Sequence, residues 1–247
     1  TEGLGGGASR LVAGDFPSHR ALEAALAVFF RRPAALVFPT GYQTNLGVLT
    51  ALARRGDLIA SDALNHASLI DGCRLSRATV VPYRHADPDD AARALATPGT
   101  FRRRLLVSES VFSMDGDVAP LGALAAVARA HQAVFVLDEA HAVGCLGPGG
   151  RGMAADAGVE PDVLIGTLGK AFGAAGGFAT GSVTLRDYLL NSSRTFLFTT
   201  ALPPPVAAAA AAALTLIAGP EGELRRRALA HRAHQLRGAL PRSPGVT

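Results

Sequence analysis

The sequence predicts an α/β fold in which a mainly parallel sheet lies between helices. Short apolar runs rich in β-branched residues alternate with segments whose apolar residues recur at helical spacing, which is the pattern of βαβ units. Apolar residues make up 49% of the 247 residues and charged residues 18%, so a large core can form and intrinsic disorder is excluded. The uninterrupted apolar run at residues 133–137 indicates a strand buried on both faces.

Each predicted helix is marked by its apolar spacing, and each predicted strand by a short apolar run that ends in polar or turn-forming residues. In the first helix, at residues 19–30, this spacing is visible in Leu22, Ala25 and Phe29. The prolines at 203–205 end the alternation and precede an Ala-rich helix. In chain order, the predicted elements are a helix at 19–30, a strand at 35–38, a helix at 43–53, a strand at 57–61, a helix at 67–75, a strand at 79–82, a helix at 87–96, a strand at 104–108, a helix at 121–131, strands at 133–137, 163–166, 177–180 and 195–199, and helices at 206–217 and 221–240.

Two domains are expected, because the pattern of elements changes at the proline run. Residues 1–205 are predicted to form a large ligand-binding domain, and residues 206–247 a connecting helix and the start of a smaller C-terminal domain. The chain starts at Thr1 within a Gly-rich stretch and stops at Thr247 just after a Pro-broken turn. We therefore expect an N-terminal segment before Thr1 and the remainder of the small domain after Thr247.

Composition and motifs argue against several classes of protein. The longest apolar run, at residues 206–219, is shorter than the ~20 residues of a membrane span, so none is predicted. The arginine clusters at 102–104 and 225–227 lack interleaved aromatic residues and accompany no nucleic-acid-binding motif. We interpret them as solvated faces or edge-strand protection, the alternative being a site for an anionic ligand such as a nucleotide tail, and we expect no nucleic acid partner. With only Cys73 and Cys145, no disulfide framework is indicated, and a cytoplasmic protein is expected.

Lys170 is the only lysine among the 24 Lys and Arg residues. It lies in GTLGKAFG at residues 166–173, after an apolar strand and among small residues that let a flat ligand approach the backbone. A lysine can form a Schiff base with a carbonyl compound and an arginine cannot, which gives a chemical reason for the exception. The alternatives are a surface lysine and a phosphate-binding loop, whose GxxxxGK[ST] pattern is not matched.

Asp138 follows the buried strand at 133–137, at the edge where α/β proteins bind ligands. A carboxylate there can keep a pyridinium nitrogen protonated, which an electron-sink cofactor requires. His141, three residues later, can point back to the same site. A metal pair is the alternative, but no third ligand cluster accompanies it, and no metal is predicted.

Three further segments fit the same ligand. The turn at 39–45, which contains Gly41 and Tyr42, begins a helix whose backbone N–H groups can bind a phosphate, with plain capping as the alternative. His66 starts another helix and either caps it or lies flat on a ring. Ser113, in a polar loop after a strand, can donate a hydrogen bond to a ring oxygen.

Taken in this order, the segments resemble the α-oxoamine synthases, pyridoxal-phosphate enzymes that condense an amino acid with an acyl-CoA and release CO2. The resemblance spans residues 3–240 and is carried by GASRLVAG at 7–14, SMDGD at 113–117 and GTLGKAFG at 166–173. It implies pyridoxal phosphate as the cofactor. It also implies the fold type I architecture of pyridoxal-phosphate-dependent transferases, with a mainly parallel mixed sheet between helices and a small C-terminal domain.

The resemblance also implies a role for each matched residue. It makes Lys170 the Schiff-base lysine, pairs Asp138 with the pyridine nitrogen, and places His66 on the ring and against the substrate carboxylate. A site shared between two chains is implied as well, and with it a homodimer. The other implied cofactor contacts are His141 and Ser113 at the ring oxygen, Gly41, Tyr42 and Thr167 around the cofactor, and Thr199 at the phosphate of the neighbouring subunit.

The implied reaction is a decarboxylating condensation of an amino acid with a thioester of CoA or of an acyl-carrier protein, in which Lys170 removes the Cα proton. The motifs favour L-alanine and a pimeloyl thioester, the substrates of a step in biotin synthesis. A sister reaction with glycine or serine remains open, as do an aminotransferase and a non-enzymatic partner subunit or inactive fragment. Because the family places part of the substrate site outside residues 1–247, we expect this chain to hold the cofactor site but not the whole substrate site.

Overall fold

The computed structural model describes residues 2–240, in which helices cover both faces of one seven-stranded sheet. The strands are β1 (Ala34–Phe38), β2 (Leu58–Asp62), β3 (Thr79–Tyr83), β4 (Arg104–Glu109), β5 (Val134–Asp138), β6 (Val163–Thr167) and β7 (Gly177–Gly181). The α-helices within the same residues are α1 (Pro17–Phe30), α2 (Gly41–Leu52), α3 (Ala67–Ser76), α4 (Pro88–Leu95), α5 (Leu121–Ala130), α6 (Met153–Asp156), α7 (Val183–Ser192), α8 (Arg194–Leu197), α9 (Pro204–Ala218) and α10 (Pro220–Ala239).

The order of strands in the sheet is β1-β7-β6-β5-β4-β2-β3. Neighbouring strands from β3 across to β6 are parallel, whereas β7 runs antiparallel to both of its neighbours, β6 and β1. The carboxyl ends of six strands and the amino end of β7 therefore meet at one edge of the sheet. In α/β proteins this is the edge whose loops bind ligands.

Successive strand residues pack into two separate apolar layers. In β1, Ala35 and Val37 belong to the layer formed with α1, α4, α5 and α9, whereas Leu36 and Phe38 belong to the layer formed with α2, α3, α7 and α8. Every residue of β1, β2 and β7 is buried. Because both faces of β1 are covered, its sequence AALVF is an apolar run rather than an alternating pattern.

The α/β prediction is confirmed, including the mainly parallel mixed sheet. All seven predicted helices and seven of the eight predicted strands are present, with bounds shifted by two residues at most. The helices α6, α7 and α8 are not predicted. Ser182 caps α7 by accepting a hydrogen bond from the Leu185 N–H at 3.0 Å, a start signal that the sequence does contain.

The predicted strand at residues 195–199 is wrong, because α8 and the coil after it occupy these positions. The Thr195 hydroxyl donates to the Gln43 carbonyl at 2.6 Å. The ring of Phe196 packs edge-on against Phe38, with 5.6 Å between ring centroids. These contacts with α2 and β1 stabilise a helical turn in a segment whose β-branched and aromatic residues favour a strand.

Both arginine clusters have partners within the chain. In the first, Arg102 forms an ion pair with the buried Asp57, and the two following arginines donate to backbone carbonyls. In the second, the arginines at 225–227 form ion pairs with Glu221 and Glu223. These contacts give the arginines structural roles.

Helices α9 and α10 meet at a bend of 73°. Taken together, this bent pair is long and apolar enough to cross a membrane on length and composition alone, whereas no single helix within residues 2–240 is. Gly222 is the one buried residue of α10 in the part of the chain that the structure describes. The division into domains at 1–205 and 206–247 stays a prediction, and its last seven residues lie outside the described part.

Gly166 in β6 packs directly against the buried ring of Phe178. A Cβ at this position would lie 2.3 Å from the ring Cζ, so Gly166→Ala must displace a core side chain. We expect a loss of about 1–3 kcal/mol in the free energy of unfolding, measured by thermal or urea denaturation. Gly122→Ala, at an exposed position of α5 with no atom within 4 Å, is the matched control and should leave stability equal or slightly higher. Equal stability of the two variants would contradict the close packing.

Candidate active site

A cleft opens at the carboxyl edge of the sheet. It holds about 490 Å³ of empty space including the open solvent at its mouth. Its walls come from the ends of β4, β5 and β6 and from the first turns of α2 and α3. The lining residues are Gly41, Tyr42, Asn45, His66, Ser68, Glu109, Asp138, Ala140, His141, Ile165, Gly166, Thr167 and Lys170.

The N-terminus of α2 forms one wall of the cleft. Thr40 caps this helix, its Oγ1 accepting the Gln43 N–H at 3.0 Å, and Gly41 lines the cleft directly after the cap. A Cβ on Gly177 would lie 2.7 Å from the Gly41 Cα, so glycine at the start of β7 is what lets the helix approach the sheet this closely. The free N–H groups of a first helical turn and the helix dipole favour an anion at such a position.

A chain of hydrogen bonds connects Asp138 with His66. Asn45 Nδ2 donates to Asp138 Oδ2 at 2.7 Å and to Ser68 Oγ at 2.8 Å, and Ser68 Oγ lies 2.7 Å from His66 Nδ1. The Ala140 N–H donates to the other oxygen of Asp138 at 2.8 Å. Asp138 is only 5% exposed, so these donors rather than water satisfy its carboxylate.

Lys170 reaches the cleft from the loop that follows β6. Its Nζ lies 2.9 Å from His141 Nε2. Burial, and then the positive charge of Lys170, lower the pKa of His141. The imidazole is therefore neutral at pH 7 and accepts a hydrogen bond from the lysine. Thr167 Oγ1 accepts the Gly169 N–H at 3.2 Å and so fixes the start of this loop.

Glu109, at the end of β4, is a second buried carboxyl group in the cleft. It pairs with Asp138 across the two parallel strands, and its Oε1 accepts the His66 N–H at 2.6 Å. Burial and the charge of Asp138 raise the pKa of Glu109 to about 7. At neutral pH this carboxyl group therefore retains its proton in a large share of the molecules.

Glu139 follows Asp138 but supports the site from outside the cleft. Burial raises the pKa of Glu139 to about 7, although its carboxyl group accepts the N–H of Ala154 at 2.6 Å and of Met153 at 2.9 Å. A Cβ on Gly152 would lie 2.2 Å from Glu139 Oε2, which leaves room only for glycine. These contacts anchor the segment between β5 and α6, which carries the histidine that contacts the lysine.

The structure brings seven of the nine predicted site residues to this cleft. They are Gly41, Tyr42, His66, Asp138, His141, Thr167 and Lys170. Ser113 is exposed in the loop after β4, and Thr199 is half-buried in the coil after α8, so neither lines the cleft of its own chain. Their contacts with a cofactor remain predictions.

Sequence reasoning missed the three other lining residues that carry polar side chains, Asn45, Ser68 and Glu109. Asn45 lies within the turn segment at 39–45 and Ser68 lies in the predicted helix at 67–75, so the segments were predicted but not the roles. Glu109 ends the strand after which the Ser113 loop begins, a position equivalent to that of Asp138 in the next strand. That shared position, directly at a strand end, was the available signal.

Comparison with known proteins places this site in a family. A family model described as aminotransferase class I and II matches residues 4–246. The chain is 54% identical over 204 residues to an 8-amino-7-oxononanoate synthase from Marinobacter nauticus, an alignment that covers 81% of this chain and 51% of that protein. It is 48% identical over 238 residues to a putative 8-amino-7-oxononanoate synthase from Bacillus licheniformis, covering 96% and 62%. The chain thus spans about half to three fifths of the length of these curated relatives.

Solved structures agree with this placement. The serine palmitoyltransferase of S. paucimobilis, in a structure with a bound PLP–myriocin aldimine, superposes with a TM-score of 0.91 at 36% identity over 96% of this chain and 59% of that one. The 8-amino-7-oxononanoate synthase of Francisella tularensis gives a TM-score of 0.78 at 26% identity, covering 94% and 69%. Nearly the whole of this chain therefore shares the fold of a part of each of these two proteins.

The fold and the cleft are those of the fold type I family of pyridoxal-phosphate-dependent enzymes. The chain belongs to the aminotransferase class I and II family. Within that family, the predicted resemblance to the α-oxoamine synthases is confirmed by relatives named 8-amino-7-oxononanoate synthase at about 50% identity. Pyridoxal phosphate is confirmed as the cofactor of this family, in agreement with the PLP-bound structures that the chain resembles.

The residues of the cleft fit this cofactor. Lys170 would supply the amine, the first turn of α2 would supply N–H groups for a phosphate, and Asp138 would provide a buried carboxylate for a pyridine nitrogen. A buried acceptor is also left over, because Asn45 Oδ1 has no hydrogen-bond partner among the described residues. Such an atom is normally satisfied by a ligand or by water.

The raised pKa of Glu109 makes a prediction about stability. The unfolded chain releases this proton near pH 4.5 and the folded chain near pH 7, so the folded state binds more protons between these values and stability falls as the pH rises through this window. The full difference in the pKa of Glu109 between the folded and unfolded states corresponds to about 3 kcal/mol in the free energy of unfolding. Urea unfolding of the cofactor-free chain at pH 5 and pH 8 should therefore show a smaller fall for Glu109→Gln than for the unmodified chain.

The pKa of Glu139 is also raised by burial, in the unmodified chain and in Glu109→Gln alike, so its contribution cancels when the two are compared. The glutamine keeps an oxygen that can accept the His66 N–H. Identical pH dependence of unfolding in the two proteins would show that Glu109 ionises in the fold as it does in water.

Proposed function

We propose that the whole protein catalyses a pyridoxal-phosphate-dependent, decarboxylating condensation of L-alanine with a pimeloyl thioester to give 8-amino-7-oxononanoate, a step of biotin synthesis in the cytoplasm. The observation that carries this proposal is the position of Lys170, the single lysine of the chain, in one cleft with the buried Asp138. The names of the curated relatives support the substrates. The thioester is carried by CoA or by an acyl-carrier protein.

When bound, pyridoxal phosphate supplies an electron sink for negative charge at the substrate Cα. Asp138 is placed to hold a proton on the pyridine nitrogen, because its carboxylate is buried and kept in position by Asn45 and Ala140. Removal of either donor would let the carboxylate rotate or draw in water. The aspartate therefore acts as a fixed negative charge at the base of the site.

Lys170 serves both as the covalent anchor of the cofactor and as the base for the Cα proton. Burial, and then the charge of Lys170, lower the pKa of His141, so its ring is neutral and accepts a hydrogen bond at Nε2 from the lysine Nζ at 2.9 Å. This bond orients the lysine amine within the cleft.

His66 is suited to bind the substrate carboxylate. Its Nδ1 accepts the Ser68 N–H at 3.2 Å, so in the neutral ring Nε2 carries the proton. Nε2–H remains available as a donor to a carboxylate oxygen. Asn45 and Ser68 fix this tautomer through their hydrogen-bond chain.

A sister condensation is the second candidate function. Serine palmitoyltransferases superpose with TM-scores of 0.91 at 36–38% identity, so serine with a long-chain acyl-CoA is a specific alternative to alanine with a pimeloyl thioester. The cleft residues described above serve either substrate pair. Release of free CoA, measured for each amino acid against each acyl-CoA, separates the two.

We further propose a homodimer whose active sites are shared. Two neighbouring segments expose apolar side chains, Leu11 and Val12 in one and Phe198 in the other. They are joined because the Ala201 N–H donates to the Ala8 carbonyl at 2.9 Å. Exposed apolar side chains grouped in this way are typical of an interface, and Thr199 lies directly beside them.

Covalent attachment of the cofactor to Lys170 tests the proposed function. The purified chain, loaded with pyridoxal phosphate and reduced with borohydride, should carry the pyridoxyl group on the peptide that contains Lys170. Lys170→Arg, which keeps the charge, is the control and should carry none. In the whole protein, L-alanine with pimeloyl-CoA should release CoA faster than serine with palmitoyl-CoA, and the opposite order would replace the proposed substrates. An unlabelled Lys170 in cofactor-loaded protein would contradict the assignment itself.

Mixing two inactive variants tests the shared site. Thr199→Val keeps the shape of the side chain but removes the hydroxyl, and Lys170→Ala removes the anchor. In a mixed dimer the intact Lys170 and the intact Thr199 come from opposite chains and complete one site. We expect borohydride labelling of the Thr199→Val chain to recover on mixing, because cofactor binding and dimerisation are linked. No recovery after proven subunit exchange would mean that each site is built within one chain.

A further inference from the structure

The side chain of His85 lies between two carboxylates outside the cleft. Its Nδ1 is 2.9 Å from Asp62 Oδ1, and its Nε2 is 2.7 Å from Asp117 Oδ2. The Asp62 side chain is fully buried at the end of β2, whereas Asp117 belongs to the loop after β4. His85 thus connects the sheet with a loop that is distant in sequence.

Asp62 is the fixed end of this connection. Its Oδ1 also accepts the Leu64 N–H at 2.9 Å, and its Oδ2 accepts the Ala86 N–H at 2.9 Å. The first of these bonds holds the turn that leads from β2 to His66 in the cleft. The same carboxylate therefore supports a residue of the proposed active site and the histidine.

The loop at residues 110–118 is the other end of this connection. Val111 and Val118 form an isolated antiparallel bridge at its base, and Phe112 is buried edge-on against the His85 ring with 4.4 Å between centroids. Its tip, which includes Ser113, is exposed. Between its base and its tip, the loop has one side-chain hydrogen bond to the rest of the described chain, and that bond joins Asp117 to His85.

The His85 ring can donate a hydrogen bond to both carboxylates only when both of its nitrogens carry a proton. A neutral imidazole has one N–H, so it can donate to only one of two carboxylates, whereas the imidazolium donates to both. Partial burial disfavours the charged ring, but the hydrogen bonds to Asp62 and Asp117 outweigh it and raise the pKa of His85.

The other charged groups near His85 do not change this requirement for two ring protons. On the turn after β3, Arg84 forms ion pairs with Asp87 and Asp90. Tyr83 stays neutral because burial raises the pKa of its hydroxyl. Asp62 and Asp117 are therefore the charges that face the ring.

We propose that His85 is a positioning residue that holds the 110–118 loop against the sheet through both ring nitrogens, and that loss of one ring proton releases the loop. The consequence for the cofactor rests on the proposed function, in which Ser113 of this loop contacts pyridoxal phosphate. Release of the loop then removes that contact. The affinity for pyridoxal phosphate therefore falls with rising pH because the loop is released, independently of Lys170.

The sharpest test replaces a carboxylate rather than the histidine. In Asp117→Asn, the amide Nδ2 can donate to a neutral His85, whose other nitrogen still donates to Asp62, so the loop stays attached without the extra proton. Amide hydrogen exchange of residues 110–118 is measured from pH 6 to pH 9 in the cofactor-free chain and corrected for intrinsic exchange. We expect protection of the unmodified loop to fall roughly tenfold or more across the range, and that of Asp117→Asn to stay constant.

Three further measurements complete the test. His85→Phe, which keeps an aromatic ring against Phe112 but no donor, should lose protection at every pH, whereas His234→Gln on the exposed face of α10 should match the unmodified chain. The dissociation constant for pyridoxal phosphate should rise with pH more steeply in the unmodified chain than in Asp117→Asn. Equal exchange in Asp117→Asn and the unmodified chain at all pH values would overturn the proposal.

The outcomes also separate this proposal from the proposed function. Loop exchange is read without cofactor and substrate, so an inactive chain still decides whether His85 holds the loop. Loop release with unchanged cofactor affinity would overturn the Ser113 contact and leave the Lys170 assignment standing. Failure of every protein, including His234→Gln, to bind pyridoxal phosphate would count against the proposed function alone.

Discussion

The buried negative charge of Asp138 is the constraint on which the rest of the site depends. A carboxylate away from water must be satisfied by fixed donors, and here Asn45 from α2 and the Ala140 N–H supply them. Its charge is also a reason why the carboxyl group of Glu109 resists ionisation, since two adjacent negative charges in a buried place would repel each other. One position in β5 thus contributes both to the place of α2 and, after burial, to the raised pKa of its neighbour Glu109.

The close approach of α2 to the sheet follows from the same arrangement. Asn45 can reach Asp138 only if the first turn of the helix lies almost on the strands, and glycines at 41 and 177 leave the space for this. Thr167 then borders the gap, because a Cβ on Gly41 would lie 3.2 Å from its Oγ1. Small residues at this edge therefore serve the electrostatics of the site as much as the packing.

Much of the fold was predictable because its signals are local. Apolar runs and helical spacing locate elements such as β5 and α9 to within two residues. The segment at 195–199 failed because contacts with β1 and α2, which sequence spacing does not show, stabilise a helical turn there. Its composition favours a strand, and tertiary contacts outweigh that preference.

The candidate site likewise contains residues that local sequence signals reveal and residues that they do not. Lys170, Asp138 and His66 stand out because of rarity, position after a strand, or a matched motif. Asn45 and Glu109 carry no such mark, since a buried amide or carboxyl group gains its role only from neighbours that are remote in sequence. The protonation of Glu109 in particular is set by burial, which no local pattern encodes.

The reversed direction of β7 has a consequence for the reactive lysine. Because β7 begins at the edge where β6 ends, the connection that carries Lys170 starts and finishes at the cleft, closed by the Leu168 N–H bonded to the Gly176 carbonyl at 2.9 Å. A parallel strand would have required a crossover of a dozen or more residues, with the lysine on a long arm. The amine is instead carried by a short closed loop, whose length leaves evolution little freedom to insert or delete residues without moving the amine out of the cleft.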